Sequence, residues 1–396
     1  MKKYIFLIFC IITLLSISGC VMVNTSTYFN SEALEFDSYT CSIGEREHVG
    51  GVTVAPISMP ETLYIHEYEI PQGAGTIDDP FLIETPQHLA WDGLRSLGGP
   101  TIRSRSGYFL LVNDIVAPPN LIISLSEGSV FDGGGHTITV DIDILQDAAL
   151  FRQIGTQATV RNLTVAGRVR GRGTVGGVTV RNLGRIYNVA VIADIYGGGA
   201  GGIVGWNSES GIIANSYTTG NVTGSFHVGG LVGRNIGGTV ANSYSISNVI
   251  ATRRCGWHCC VGVGGLVGGS GNRARIFHSV ALNPNITVLD GTLAYRISSS
   301  MRFIAMTTGG EQDRSGFTGV NNFASVDMLL NEELANIRVR DNQHGEDVAI
   351  DVIHTITFWR DILGWDFNHI WEWNYETDLP VLRNFHREQN HTLFAP

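Results

Sequence analysis

The amino-acid sequence predicts an all-β protein, a parallel β-helix (solenoid) with small α/β caps at its N- and C-terminal ends. Four Gly-Gly phrases recur, and the glycine pairs advance by 25, 28 and 35 residues. Steps of this size are typical of solenoid repeats. The phrases contain Gly, Val, Ile, Thr, Asn and Ser and lack runs of helix-forming residues, which excludes repeats built from helix pairs.

The repeats are visible as two phrases in each coil. The Gly-Gly phrases lie at 175–178, 200–205, 228–233 and 263–268, and the second phrases lie at 186–188, 213–217, 240–244 and 276–279. Alternation along the strands of the third repeat places Leu231, Val240 and Tyr244 inside the solenoid, because that choice buries a continuous apolar column.

Asparagines recur at fixed places in these phrases. The two series are Asn182, Asn207 and Asn235, and Asn162, Asn188, Asn215 and Asn242. We expect each series to stack at a corner of the solenoid, where side-chain amides can hydrogen-bond to one another and to turn backbone. The interpretation of these residues is therefore structural.

The chain divides into five predicted segments. They are a lipoprotein signal peptide at 1–19, a lipid-anchored tether at 20–60, an N-terminal cap at 61–128, the β-helix at 129–290 and a C-terminal capping region at 291–396. The N-terminal cap is expected to contain a short helix near 85–97, and the C-terminal cap a helix at 325–337. Four tryptophans at 359, 365, 371 and 373 are expected to form core, because such clusters are usually buried.

The N-terminus predicts export. Lys2 and Lys3 precede an apolar stretch at 4–17, which is too short to span a membrane and is typical of a signal peptide. Ile17-Ser18-Gly19-Cys20 resembles the bacterial lipobox, which implies lipid attachment at Cys20. We therefore expect a protein anchored through lipid to a membrane, at the cell surface or the outer membrane.

The repeat also resembles a known family. The segments at 229–244 and 201–217 are similar to the GLUG motif of bacterial surface proteins, which occurs in adhesin-like proteins and beside the catalytic part of some IgA-cleaving metallopeptidases. Segments at 75–83, 131–138 and 363–382 resemble flanking parts of the family, so the resemblance covers about 73–385. It implies a right-handed β-helix on the cell surface and no single activity. The peptidases' H-E-x-x-H zinc motif is absent from the sequence.

Charge suggests one binding surface. The chain is acidic, with a formal net charge of −10, which argues against binding to nucleic acid. No acid lies between Asp147 and Asp194, yet seven arginines do: Arg152, Arg161, Arg168, Arg170, Arg172, Arg181 and Arg185. This local basic band suggests an anionic partner, such as an anionic glycan or a host or surface protein, with Arg168, Arg170 and Arg172 as candidate contacts. The alternative is a solvated face whose arginines pair with acids from elsewhere.

A second candidate binding site is a row of three side chains, one from each of three successive repeats. Arg181, Trp206 and Arg234 share one outward position, and adjacent strands lie about 4.8 Å apart, so the indole should lie between two guanidiniums. The row could be a sugar-binding platform or a stack that satisfies itself.

Cysteines form the third candidate. Cys255, Cys259 and Cys260 lie where the repeat step lengthens, and Cys41 is the remaining cysteine outside the signal and lipobox. Export favours disulfides, with Cys255 bonded to Cys259 or Cys260 and the third reaching Cys41. Free thiols, or a metal site formed with His258, are the alternatives.

The number of acidic residues in the central coils indicates whether the protein is an enzyme or a binding protein. Residues 148–250 include only Asp194 and Glu209 as acids, and they are not at matching repeat positions. A β-helical glycan lyase or hydrolase needs a base or paired carboxylates. The sequence therefore favours a non-catalytic surface lipoprotein without a cofactor, used for adhesion or for binding glycan or matrix. The β-helical glycan-degrading enzyme is the alternative.

Overall fold

The computed structural model describes residues 67–91, 93–94, 105–252, 262–288, 294–300, 317–334 and 343–383. Over these residues the chain is all-β and forms a parallel β-solenoid of about eight turns, which confirms the predicted fold class. Equivalent strands of successive coils pair in parallel. Three sheets therefore run along the solenoid, one for each side of a coil.

The first sheet carries the Gly-Gly phrases and the second sheet follows it in every coil. Within the described residues the first sheet has five strands: Thr174–Gly176, Gly199–Gly201, Val228–Gly229, Val263–Gly264 and Ala294–Tyr295. The second sheet has seven: Ile123–Leu125, Phe151–Ile154, Thr179–Asn182, Val204–Asn207, Val232–Ile236, Val267–Gly271 and Ser298–Ser300.

The third sheet closes each coil and is the longest, with 21 strands in the described part of the chain. Its strands are Phe81–Ile83, Tyr108–Leu111, Ile115–Val116, Val130–Asp132, Thr137–Asp143, Thr159–Arg170, Arg185–Tyr196, Ile212–Ala214, Tyr217–Thr219, Asn221–Gly224, Thr239–Ala241, Tyr244–Ser245, Asn248–Ala251, Ala274–Phe277, Val280–Ala281, Asn285–Val288, Phe317–Val320, Phe323–Ser325, Leu329–Leu330, Glu333–Leu334 and Glu346–Val348.

A tight arc joins the first sheet to the second, and its crowding explains the Gly-Gly phrase. In the central coil a Cβ atom on Gly229 would lie 2.2 Å from the carbonyl oxygen of Val232 and 2.4 Å from the backbone nitrogen of Gly268. Leu231, between the two sheets, is fully buried. The phrase therefore combines glycines where backbones approach closely with one large apolar residue that fills the core.

The core is a stack of aliphatic side chains from successive coils. One column in the third sheet is fully buried and in register from coil to coil: Val160, Ile186, Ile213, Val240 and Ile276. Such columns bury apolar surface along the whole solenoid, and the apolar surface removed from water is the main stabilising contribution to the fold.

Both predicted asparagine series stack in register; the inner series is hydrogen-bonded throughout, and the corner series is hydrogen-bonded within two pairs. In the inner series Asn182 Nδ2 donates to Asn207 Oδ1 at 2.9 Å, and Asn207 Nδ2 donates to Asn235 Oδ1 at 3.0 Å. All three are fully buried. In the corner series Asn188 Nδ2 donates to Asn162 Oδ1 at 3.1 Å, and Asn242 Nδ2 donates to Asn215 Oδ1 at 3.3 Å.

The corner series also fixes an unusual backbone conformation. The φ angles of Asn162, Asn188, Asn215 and Asn242 lie between 46° and 54°, and His278 continues the series at 48°. Asparagine tolerates this left-handed region better than most residues. The corner therefore selects asparagine for its backbone as well as for its amide.

The prediction that Tyr244 lies inside the solenoid is wrong. Side chains stop alternating between the two faces of the strand where a residue in the left-handed conformation interrupts it. Tyr244 does not enter the solenoid core; it belongs to a second hydrophobic cluster on the outer side of the third sheet. Ser245 lies on the inner side instead, where it is fully buried and accepts a hydrogen bond from Thr218 Oγ1 at 2.9 Å.

The second cluster is completed by residues 350–383, which we call the C-terminal strap. The strap contains helix Ile350–Ile353, π-helix Phe358–Ile362 and a hairpin of strands Trp371–Asn374 and Leu379–Leu382. Trp359, Trp365 and Trp371 are 0–2% exposed and pack around Tyr244, whose hydroxyl donates to the carbonyl of Pro380 at 2.7 Å. The expectation that the tryptophans form core is confirmed for these three, whereas Trp373 is half-buried and packs against the cluster.

The solenoid is longer than the predicted 129–290, at the expense of both predicted caps. Phe81–Ile83 already pairs in parallel with the next coil, and Glu346–Val348 still pairs with Phe323–Ser325. The N-terminal helix is confined to Pro86–Leu89, capped by Thr85 Oγ1. The helix predicted at 325–337 is wrong over its described part: Leu329–Leu330 pairs with the preceding coil and turns back to Glu333–Leu334.

An ion pair closes the C-terminal end of the solenoid. Arg296 occupies the position that Gly265 holds in the preceding coil, and its side chain is 1% exposed. Its Nη1 lies 2.6 Å from Asp347 Oδ1, and its Nη2 donates to the carbonyl of Gly345 at 3.4 Å. A buried guanidinium needs such partners to offset its desolvation.

Candidate functional site

The arginines at 161–170 do not form the predicted basic band, because acids of the preceding coil pair with them. Arg168 Nη2 lies 2.9 Å from Asp141 Oδ1, and Arg170 Nη1 lies 3.8 Å from Asp143 Oδ2. The hydrogen bond to Asp141, together with its charge, raises the pKa of Arg168. This surface therefore carries paired charges, as in the alternative interpretation of the sequence.

Two further arginines of this region differ in burial. Arg161 Nε lies 2.9 Å from Asp132 Oδ2, and both side chains are largely buried. Arg172 is exposed, and no ion pair to it is found among the described residues. Arg152, Arg181 and Arg185 are exposed as well and have no ion pair in the described part of the chain, so three of the seven arginines are paired with acids and four are not.

The second predicted row is present as a stack. Arg181 pairs in register with Trp206, and Trp206 with Arg234, on three successive strands of the second sheet. The guanidinium carbons lie 5.1 and 5.2 Å from the centroid of the indole, one in each neighbouring coil. These distances are within the range of cation–π contacts, so both guanidiniums are held against the indole ring.

A groove of about 390 Å³ opens beside this stack. Its lining residues are Arg181, Leu183, Trp206, Ser208, Glu209, Ser210 and Ile236. The groove combines an apolar wall with hydroxyl groups and one charge of each sign, and its volume lies within the range of small-molecule sites.

The turn after each second-sheet strand positions the polar groups of the groove. Asn207 is held by its neighbours in the inner asparagine series and also donates to the carbonyl of Gly211 at 3.2 Å. Ser208 N donates to the carbonyl of Asn182, and Ser210 Oγ donates to the carbonyl of Leu183 at 2.6 Å. The buried asparagines therefore fix the turn that carries Ser208, Glu209 and Ser210.

His227 adds a buried imidazole near Arg234. Its side chain is 7% exposed, its φ is 50°, and its Nδ1 has no hydrogen-bond partner among the described residues. Burial, assisted by the positive charge of Arg234, lowers the pKa of His227 to about 4. Because the pKa is lowered, His227 is neutral above that pH and adds no charge to the site near neutrality.

Sequence reasoning found the stack but not the whole groove. Leu183 and Ile236 lie two residues after Arg181 and Arg234, so they share the outward side with the stack under a period of two. In the sequence, Glu209 is distinguished only as an acid outside the matching repeat positions. The signal that could have found it is its place in the turn directly after Asn207.

Other predicted sites fall outside the described residues. These are Cys20, Cys41, Cys255, His258, Cys259 and Cys260, so lipid attachment, disulfides and the metal alternative stay predictions. Within the described ranges no group of three or more His, Cys, Asp or Glu side chains is placed to hold a metal ion. In that same part of the chain, no helix has the length and apolar character needed to cross a membrane.

Comparisons with known proteins support the fold and the repeat. The family model described as the GLUG motif matches residues 224–250. A crystal structure from Bacteroides ovatus, described as a "putative immunoglobulin A1 protease", is similar with a TM-score of 0.59 and 21% identity, over 79% of this chain and 94% of that chain. No curated protein matches the sequence. The chain is a β-helical protein that contains the GLUG motif at residues 224–250.

Proposed function

We propose that this protein is a non-catalytic surface lipoprotein that binds glycan or matrix ligands through the groove beside Trp206. The supporting observation is the placement of Arg181, Trp206 and Arg234 on three consecutive coils of a rigid sheet, next to hydroxyl groups and an apolar wall. Sites on regular elements hold their side chains more firmly than sites on loops, which favours recognition of a ligand.

The groove fits a sugar ligand better than a purely apolar one. Ser208 and Ser210 offer hydroxyl groups, Arg181 offers donors and Glu209 offers acceptors, whereas Leu183 and Ile236 can cover the apolar side of a sugar ring. Mixed lining of this kind orients a polyhydroxylated ligand through hydrogen bonds and excludes water over the apolar part.

Substitution of Trp206 tests this proposal. We expect Trp206→Ala to lower affinity for the bound glycan about tenfold or more, because the indole supports both guanidiniums. The measurement is binding of the purified protein to an immobilised glycan and matrix panel, followed by calorimetry on the ligands retained. The control is Tyr375→Ala, which removes an aromatic side chain that is 86% exposed and outside the groove. Equal binding by both variants, or cleavage of a glycan by the wild-type protein, would contradict the proposal.

We also propose that Cys20 carries the lipid. We expect Cys20→Ala to abolish partitioning into detergent, because the residue that the lipobox resemblance makes the acylation site is gone. The measurement is phase separation of cell extracts with mass spectrometry of the mature N-terminus. Cys41→Ala should partition as the wild type does. Lipid found on a Cys20→Ala protein would exclude this attachment site.

A further inference from the structure

The groove beside Trp206 contains one acid and one base that do not pair with each other. Arg181 and Glu209 both line it, and in the described part of the chain no ion pair joins them or links either of them to another charged side chain. The arginines at 161–170 differ, because each of them that is charged lies against an acid of the preceding coil. The groove therefore holds one uncompensated charge of each sign.

The neighbours of Arg181 explain why its charge is uncompensated. Its register partners on the adjacent coils are Gln153 and Trp206, and neither is an acid. Its Nε donates to Ser208 Oγ at 3.4 Å, and its guanidinium carbon lies 5.1 Å from the centroid of the indole. Arg181 is exposed, and its two Nη groups have no partner among the described residues. These groups can therefore donate to a carboxylate through charge-assisted hydrogen bonds.

Glu209 extends away from Arg181, toward the next coil. A Cβ atom on Gly237 would lie 2.7 Å from Glu209 Cγ, so the side chain lies against the coil that carries Gly237. Glu209 is exposed, and the described residues provide no hydrogen bond to its carboxylate. Arg181 belongs to the coil on the other side of Trp206. The two charges are therefore separated by one to two strand spacings, about 5–10 Å.

Opposite charges at this separation favour a ligand that carries both signs. A ligand with only a carboxylate can pair with Arg181 but is repelled by Glu209, and a ligand with only an ammonium group meets the reverse situation. A zwitterionic ligand pairs with both residues. Hydrogen bonds of about 3 Å at each end leave only a few ångströms between the charges of the ligand itself, so both charges belong to one sugar unit.

The rest of the groove fits one sugar unit as well. Ser208 Oγ accepts from Arg181 and keeps its own proton to donate, whereas Ser210 Oγ donates to the carbonyl of Leu183 and keeps lone pairs that can accept. The groove therefore offers a donor and an acceptor to the hydroxyl groups of a ring. Leu183 and Ile236 add apolar surface for its C–H groups.

On the basis of the proposed function, we propose that the groove binds a zwitterionic sugar unit, an amino sugar that also carries a carboxylate. The carboxylate pairs with Arg181 and the ammonium group with Glu209. The hydroxyl groups of the ring bind Ser208 and Ser210, which lie in the same lining.

Calorimetry with four matched sugars tests the inference. The probes are the methyl glycosides of muramic acid, N-acetylmuramic acid, glucosamine and N-acetylglucosamine, which carry both charges, the carboxylate alone, the ammonium group alone and neither charge. The titrations are made at about pH 6, where amines of this kind are protonated and carboxylates are ionised. We expect the wild-type protein to bind muramic acid about fivefold or more tightly than either singly charged sugar, because only muramic acid pairs with both residues.

Variants assign each preference to one residue. Arg181→Gln should reduce the preference for muramic acid over glucosamine to about twofold or less, because the carboxylate loses its partner. Glu209→Gln should do the same for the preference over N-acetylmuramic acid, because the ammonium group loses its partner. Arg168→Gln and Glu372→Gln are the matched controls. Arg168 is already paired with Asp141, and Glu372 is exposed on the C-terminal strap, so both variants should keep both preferences.

The outcomes separate this inference from the proposed function. Equal affinity for muramic acid and either singly charged sugar, or failure to bind muramic acid by a protein that binds other glycans, would overturn the zwitterionic ligand and leave glycan binding intact. Preferences that persist in both groove variants would overturn it too. A zwitterionic dipeptide that binds as tightly as muramic acid would exclude the assignment to a sugar. No binding by the wild-type protein to any glycan or matrix ligand would overturn both proposals.

Discussion

Gly229→Ala is expected to lower the free energy of unfolding by about 3–5 kcal/mol. The added methyl group would stand 2.2 Å from the carbonyl oxygen of Val232 and 2.4 Å from the nitrogen of Gly268. Both are backbone atoms in neighbouring strands, so no side chain can rotate away. The arc between the first and second sheets would have to open, and the parallel pairing of the adjacent coils would be lost with it.

Thermal and urea unfolding measure this effect. The midpoint temperature should fall by about 6–15 °C. Gly128→Ala is the control, because the new Cβ would contact nothing within 4 Å and only the positive φ of 70° would cost energy. That cost is about 1–2 kcal/mol. Equal losses in the two variants would show that close backbone approach is not the reason for the Gly-Gly phrase.

The second large effect is expected from Asn207→Ala. Asn207 is fully buried, accepts from Asn182, and donates to Asn235 and to the carbonyl of Gly211. Its removal leaves buried groups without partners on both neighbouring coils, and each unsatisfied group costs about 1–3 kcal/mol. We expect a total loss of about 2–4 kcal/mol, and weaker ligand binding because the turn with Ser208 and Glu209 loses its support.

Asn248→Ala tests whether burial determines how much an amide–amide hydrogen bond contributes to stability. Asn248 Nδ2 donates to Asn221 Oδ1 at 3.2 Å, an equivalent contact on the outer side of the third sheet, where Asn221 is exposed. Water can replace that partner, so we expect a loss of at most about 0.5 kcal/mol. If Asn248→Ala lowered the free energy of unfolding as much as Asn207→Ala does, burial would not be what makes the asparagine contacts stabilising.

The sequence predicted the solenoid, both asparagine series and the Arg181–Trp206–Arg234 row because each depends on residues one repeat apart. It did not predict the charge pairs, although Arg168 follows Asp141 and Arg170 follows Asp143 by 27 residues, the length of one coil. The acid-free window from 148 to 193 is a feature of the linear sequence, whereas the ion pairs form between adjacent coils. The position of Tyr244 was missed because a left-handed residue interrupts the period of two.

The helix predicted at 325–337 shows a different limitation. Residues such as Leu329 and Leu330 are good helix formers, but the edge of the preceding coil at Asn285 and Ile286 offers backbone partners for a strand. Tertiary pairing overrides local propensity in such segments. Glu209 was not predicted to line the groove for a related reason. It belongs to a turn, and periodicity does not predict where a side chain in a turn points.

The C-terminal strap changes how this molecule should respond to load. A simple solenoid unfolds coil by coil, since each repeat contacts only its neighbours. Here the strap packs against Tyr217, Tyr244, Val280 and Phe323, which belong to four successive coils. Those coils are thereby joined into one cooperative unit, and a pulling force that reaches them must detach the strap before any single coil can peel away. Two of these coils contain the groove residues Trp206, Glu209 and Ile236. A ligand under tension would therefore pull on coils that the strap joins to their neighbours.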